Sequence, residues 1–100
     1  MRVIEFTENA IVAINKFRDE LHINNNQFLR ICIYQKNETN KLLKIGFDEK
    51  SVTDIEVEIK GIKLIYSKED LFFFVGMKID FIEQDGRKGF TFVENKSATI

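Results

Sequence analysis

Residues 61–83 read GIKLIYSKEDLFFFVGMKIDFIE, and the way this stretch divides decides the fold. IKLIY reads as a strand. Ser67, followed three residues later by Asp70, resembles a capping box with Asp in place of Glu or Gln. Tyr66 and Leu71 stand where a hydrophobic staple would join. KEDLFFFVG therefore reads as a short helix stopped near Gly76. Successive helix positions point about 100° apart, so Phe72, Phe73 and Phe74 cover nearly every side. That pattern predicts a helix buried between layers. KIDFIE follows as a strand, with Ile79 and Phe81 on one face.

Working outward, QDGRK carries the Asp-Gly signal of a tight hairpin, and GFTFV pairs back. Upstream, DIEVEI alternates without a fault: Ile55, Val57 and Ile59 point inward, and Asp54, Glu56 and Glu58 outward. KG turns that strand into IKLIY. Further upstream, FLRICIYQ (28–35) and KLLKIGF (41–47) are strands, and Lys36 to Asn40 connect them as a hairpin. RVIEF is a short first strand. Thr7 reads as the N-cap of a helix over about residues 8–21, with Phe6 and Ile11 as its staple. Ala10, Ile14, Phe17 and Leu21 form the buried face of that helix. The asparagines of INNNQ end it. The order is strand, helix, four strands, helix, two strands. The class is α+β, mainly β, with two short helices packed on a curved sheet or barrel-like β core. One domain over 1–100 is expected, with a flexible tail from about residue 94.

Composition narrows the function. Hydrophobic residues make up 44% of the 100 positions and charged ones 31%, the proportions of a soluble domain. Ten phenylalanines stand beside no tryptophan and no proline, so aromatic burial carries much of the core. A net charge of −1 provides no general attraction for nucleic acid or anionic lipid. The longest uncharged apolar run, LFFFVGM, falls far short of a membrane span. MRVIEFTENA lacks the character of a signal peptide. One cysteine, Cys32, permits no intrachain disulfide, which suits a reducing, cytoplasmic location.

The residues that could carry chemistry are few. His22 is the only histidine, and at the end of the first helix it reads as facing solvent or the helix dipole. Cys32 reads as a buried, inert thiol, although Arg30 on the same strand face could favour a thiolate. Asp54, Glu56, Glu58 and Lys60 read as a solvated strand edge. Phe72 to Phe74 read as core, with a partner-binding patch as the alternative. No nucleophile, acid and base come together, and neither zinc spacing nor a phosphate loop is present, so no catalytic residue is expected. An enzyme would need a pocket joining a perturbed carboxylate to Tyr34 or Tyr66.

Along nearly its whole length the sequence resembles the HesB/IscA-type family, the A-type carriers of iron–sulfur cluster assembly. The resemblance runs through IEFTENAIVAINKF, FLRICIY, KLLKIGFDE, GIKLIYSKEDLFFFVGMKIDFIE and GRKGFTFVEN. It is most specific at Gly61, Gly76, Ile79, Asp80, Phe81, Gly89, Phe90, Phe92 and Asn95. It implies a HesB-like fold and a homodimer or higher assembly. Carriers of this family share a cysteine in the loop before the LLKIGF-like strand and a Cys-Gly-Cys pair in the tail. The first position falls here on Glu38, the pair would fall beyond Ile100, and Cys32 matches none of the three. Clusters are held by several thiolates, so no cofactor and no metal site are expected. The resemblance then implies a role in iron–sulfur assembly by contact with assembly proteins or client proteins. The alternative is a metal or small-ligand module using carboxylates near Glu38, with Asp48 and Glu49.

Overall fold

The computed structural model describes residues 4–35 and 41–93. The elements are β1 (Ile4–Phe6), α1 (Glu8–Glu20), β2 (Phe28–Gln35), β3 (Lys41–Asp48), β4 (Asp54–Ile59), β5 (Ile62–Ser67), a 3-10 turn (Lys68–Asp70), α2 (Leu71–Phe74), β6 (Met77–Gln84) and β7 (Arg87–Val93). This is the expected order, strand for strand and helix for helix. The chain divides into two compact units, one formed by Met1–His22 with Phe74–Ile100, the other by Ile23–Phe73.

The first unit is built on a three-stranded sheet in the order β1-β6-β7. β1 runs parallel to β6, with Ile4 opposite Met77 and Phe6 opposite Ile79. β6 and β7 form the expected hairpin. Its two-residue turn holds Asp85 at φ 54° and Gly86 at φ 77°, the left-handed pair that matches strand twist. α1 begins where the Thr7 side chain accepts the amide of Ala10 at 3.1 Å. Thr7 also donates from its own amide to the carbonyl of Ile79 at 2.9 Å. The buried positions are Ile4, Phe6, Ala10, Ala13, Ile14, Phe74, Met77 and Ile79. Full burial of each large aliphatic or aromatic side chain contributes about 1.5–3 kcal/mol.

Two helical positions depart from expectation. Phe17 is only half-buried. Leu21 is 62% exposed rather than buried. The helix ends at Glu20, and the next residue but one, His22, takes φ 52°, turning the chain before Leu21 can complete the apolar stripe.

The second unit is a four-stranded sheet in the order β3-β2-β5-β4. β2 and β3 pair along their whole length, from Phe28 opposite Asp48 to Gln35 opposite Lys41. β4 and β5 join through Lys60 (φ 49°) and Gly61 (φ 84°), a second left-handed pair. β5 lies parallel to β2 through Leu29 with Leu64 and Arg30 with Ile65. Leu64, Ile65 and Tyr66 are all buried, so β5 is covered on both faces. Among the described residues each sheet is open in its strand order and does not close into a barrel, so of the two expected forms it is the open sheet that is seen.

The stretch 67–76 is helical where expected but shorter and differently capped. Ser67 makes no capping hydrogen bond with its side chain. Asp70 does not close a capping box; its carboxylate accepts the backbone N–H of Ile33 on β2. One helical turn follows, and Gly76 ends it at φ 76°. The three phenylalanines are not all core. Phe74 is fully buried, Phe73 is 38% exposed and Phe72 is 88% exposed, as a single turn pointing its side chains in different directions requires.

Candidate functional site

The most connected polar cluster among the described residues is centred on Arg30, the third residue of β2, near the end of β3 and the start of β4. Its guanidinium donates to both carboxylate oxygens of Asp54, from Nη1 at 2.9 Å and from Nη2 at 2.5 Å. Nε donates to Asp48 Oδ2 at 2.7 Å, and Nη2 also reaches the carbonyl of Glu49 at 3.2 Å. The fork geometry suits a carboxylate. Local sequence positions the acids. Asp48 closes β3 and accepts the amide of Glu49 at 2.8 Å, while Asp54 opens β4 and accepts the amide of Ser51 at 2.8 Å.

Burial separates the two acids. The Asp54 side chain is 2% exposed, against 57% for Asp48 and 21% for Arg30. Hydrogen bonds from Arg30 hold the Asp54 carboxyl well below the usual carboxylate range, against the opposing effect of burial. The same bonds raise the already high pKa of Arg30. The solvated-edge reading of Asp54 is thereby corrected. The first residue of β4 is drawn inward by the arginine of β2, whereas Glu56 and Glu58 further along are exposed as expected. Alternation places Asp54 on the face of Glu56 and Glu58 but says nothing of an arginine two strands away.

The other candidates are dispersed. Glu38 and the 36–40 connection lie outside the described residues, as does the tail from 94. Asp48 accepts from Arg30 and from the amide of Glu49. His22 is exposed at the helix end. Cys32 is a half-buried free thiol on β2, opposite Lys44 of β3. Tyr34 is 49% exposed, with the Lys44 ammonium 4.8 Å above its ring. Tyr66 is buried, and burial raises its phenol pKa. Among the described residues no group of three or more His, Cys, Asp or Glu side chains is placed to hold a metal ion. With one thiol in the sequence and that thiol within a strand, the described residues do not fit an iron–sulfur cluster. No helix among them is long and apolar enough to cross a membrane.

No protein-family model matches the chain, and no curated protein sequence matches it either. Solved structures do. Escherichia coli SufA, involved in biosynthesis of iron–sulfur clusters, superposes with a TM-score of 0.69 over 91% of this chain and 84% of its own, at 20% identity. IscA with the [2Fe-2S] cluster superposes with a TM-score of 0.71 over 91% and 81%, at 20% identity. An Aquifex aeolicus protein solved by solution NMR gives 0.72 over 93% and 92%, at 23% identity. The chain has the HesB/IscA-type fold. Several of the described positions that carry the sequence resemblance help build this fold. Gly61 and Gly76 occupy left-handed backbone, which favours glycine. Asp80 Oδ1 accepts the Thr7 hydroxyl at 2.5 Å and the Phe81 amide at 2.8 Å in a partly buried contact, tying the start of α1 to β6. Phe81 and Phe90 meet edge to face at 4.9 Å.

Proposed function

We propose that this chain serves iron–sulfur cluster assembly as a HesB/IscA-type scaffold that acts by protein contact and does not carry the cluster itself. The observation that supports this reading is the pairing of an almost full-length match to SufA and IscA with a single cysteine held in a strand. SufA is a protein of cluster biosynthesis, and the IscA structure holds a [2Fe-2S] cluster. A cluster held by thiolates needs several of them, and a dimer of this sequence brings two, both on β2. Surfaces are then what the scaffold has to offer, to assembly proteins or to clients of the pathway. The reading is non-catalytic and places the protein in the cytoplasm, where reduced thiols and cluster assembly coexist. Glu38, at the family's first cysteine position, offers a hard oxygen donor in place of a thiolate.

Anaerobic reconstitution with iron and sulfide tests this. The protein stays colourless after desalting, while a cysteine-bearing carrier treated alongside turns brown. Stable absorbance of a protein-bound cluster would overturn the reading. Affinity capture from cells should return iron–sulfur assembly factors or cluster proteins, and their consistent absence would count against it.

A further inference from the structure

The sheet of the second unit ends on β4, whose outer backbone is open. In the order β3-β2-β5-β4, β4 pairs with β5 alone among the described residues. Lys60 and Gly61 form the two-residue turn between these strands, with Ile59 opposite Ile62. The pair flanking such a turn exchanges both of its hydrogen bonds, and bonded and non-bonded pairs alternate from there. Val57 with Leu64 and Ile55 with Tyr66 are then bonded pairs. The amide of Lys68 donates to the carbonyl of Thr53 at 3.2 Å, which keeps the same alternation one step beyond the strand. Glu56 and Glu58 fall in the non-bonded pairs, so their N–H and C=O groups point away from β5, towards the free edge.

The side chains beside those groups select what can pair there. Glu56 and Glu58 are exposed on one face, and neither takes part in an ion pair among the described residues. Lys63 stands opposite Glu58 without bonding it, and Glu56 has Ile65 opposite. On the other face Ile55, Val57 and Ile59 are half-buried, with apolar surface left at the edge. Like charges directly opposite each other destabilise a strand pair, and opposite charges stabilise it. A second β4 would set glutamate against glutamate, so this edge repels its own copy. Phosphate backbones and anionic lipid are repelled likewise. A strand with basic residues at every second position and apolar residues between them matches both faces at once.

We propose that the free edge of β4 takes up an extended segment of another protein as an added strand, one with lysine or arginine at alternate positions and apolar residues between. Main-chain hydrogen bonds to Glu56 and Glu58 hold the segment, while the two carboxylates and the row Ile55, Val57 and Ile59 select it. This rests on the reading of the chain as a protein-contact scaffold and gives that reading a surface and a partner chemistry. The two fail separately, because peptide binding is read without iron or sulfide.

The probe is a capped hexapeptide of alternating lysine and valine, titrated into the isotope-labelled full chain and followed by NMR of the backbone amides. It binds with a Kd below about 1 mM and shifts the amides of Glu56 and Glu58 ahead of those of Val57 and Ile59, which already bond to β5. A peptide of the same composition with its lysines and valines in two blocks binds at least about tenfold more weakly. Glu56→Lys combined with Glu58→Lys weakens the lysine peptide at least about tenfold and binds a peptide of alternating glutamate and valine instead. Glu83→Lys, at an exposed acid of the first unit, changes neither. No shift at Glu56 and Glu58 with about 1 mM peptide, equal binding by the block peptide, or binding indifferent to the charge reversal overturns the proposal. So do shifts at these amides that follow protein concentration without peptide, which would put a second copy on the edge. Should the charge-reversed protein fail to fold, Glu56→Gln with Glu58→Gln removes the charge alone. An unchanged affinity for the lysine peptide in that variant overturns the proposal as well.

Discussion

Replacing Asp54 by Asn is the sharpest probe of the second unit. The side chain is 2% exposed and keeps its shape on substitution, so the change isolates charge and hydrogen bonding. Asp54 accepts from Nη1 and Nη2 of Arg30 and from the amide of Ser51. In the variant one oxygen becomes an NH₂ group. In the Oδ1 position it faces Arg30 Nη1, and in the Oδ2 position it faces both Arg30 Nη2 and the Ser51 amide, donor against donor either way. Removing one partner of a fully buried ion pair costs about 3–5 kcal/mol. Arg30 is 21% exposed and retains Asp48 and the Glu49 carbonyl, so part of that loss is recovered. We expect about 2–3 kcal/mol, read as a fall in melting temperature of about 10–20 °C for a chain of this size.

The pH dependence supplies an independent check. The folded Asp54 carboxyl is held below its unfolded value of 3.8, chiefly by hydrogen bonds from Arg30. The unfolded state therefore binds the proton first as pH falls. The contribution of Asp54 is complete above that unfolded value and is lost as pH drops through it towards the folded one. Urea unfolding of wild type and variant at neutral pH and at about pH 3 reads both effects. The gap between the two proteins is widest at neutral pH and narrows in acid. A neutral-pH gap under about 0.5 kcal/mol, the range of an ordinary surface change, or a gap that does not depend on pH, would refute this account of the pair. Asp48→Asn, at a half-exposed site, costs under about 1 kcal/mol.

Two further outcomes follow from hydrogen bonds elsewhere. Thr7→Val removes both the cap on Ala10 and the hydroxyl donated to Asp80. It lowers stability by about 1–2 kcal/mol in thermal melts, while Thr7→Ser keeps most of it. Asp70 is held above the ordinary carboxylate range, first by burial and then by Glu69. Its folded state prefers the proton, so it detracts from stability as pH rises from 3.8 through the folded value. Asp70→Asn, which keeps an acceptor for Ile33, gives a protein more stable at neutral pH and flatter between acid and neutral; an unchanged slope in urea titrations would contradict this.

Much of the local structure is written in short-range patterns. Thr7 stands before an apolar helical stripe, and a threonine oxygen can satisfy an amide at the first helical turn, so the start of α1 is legible. Lys60-Gly61 and Asp85-Gly86 mark both tight hairpins because few residue pairs tolerate consecutive left-handed conformations. Where a local rule competes with a distant partner, the sequence misleads. Asp70 sits at capping-box spacing from Ser67, yet its carboxylate serves Ile33, a partner that only the assembled sheet brings near.

By itself, then, the sequence determined the element order, the places of the Lys-Gly turn and the Asp-Gly hairpin, the start of the first helix and the resemblance to A-type carriers. All of these rest on residues within a few positions of each other or on motif spacing. Only the tertiary structure decided that β1 lies parallel to β6 and β5 parallel to β2, that Arg30 captures Asp54, that Phe72 faces out while Phe74 is buried, and that Phe17 packs against Phe81 and Phe90. The reason is physical. A period of two or of 3.6 residues tells a side chain which face it occupies. It does not say which strand or helix will lie against that face, because that choice depends on contacts between residues far apart along the chain.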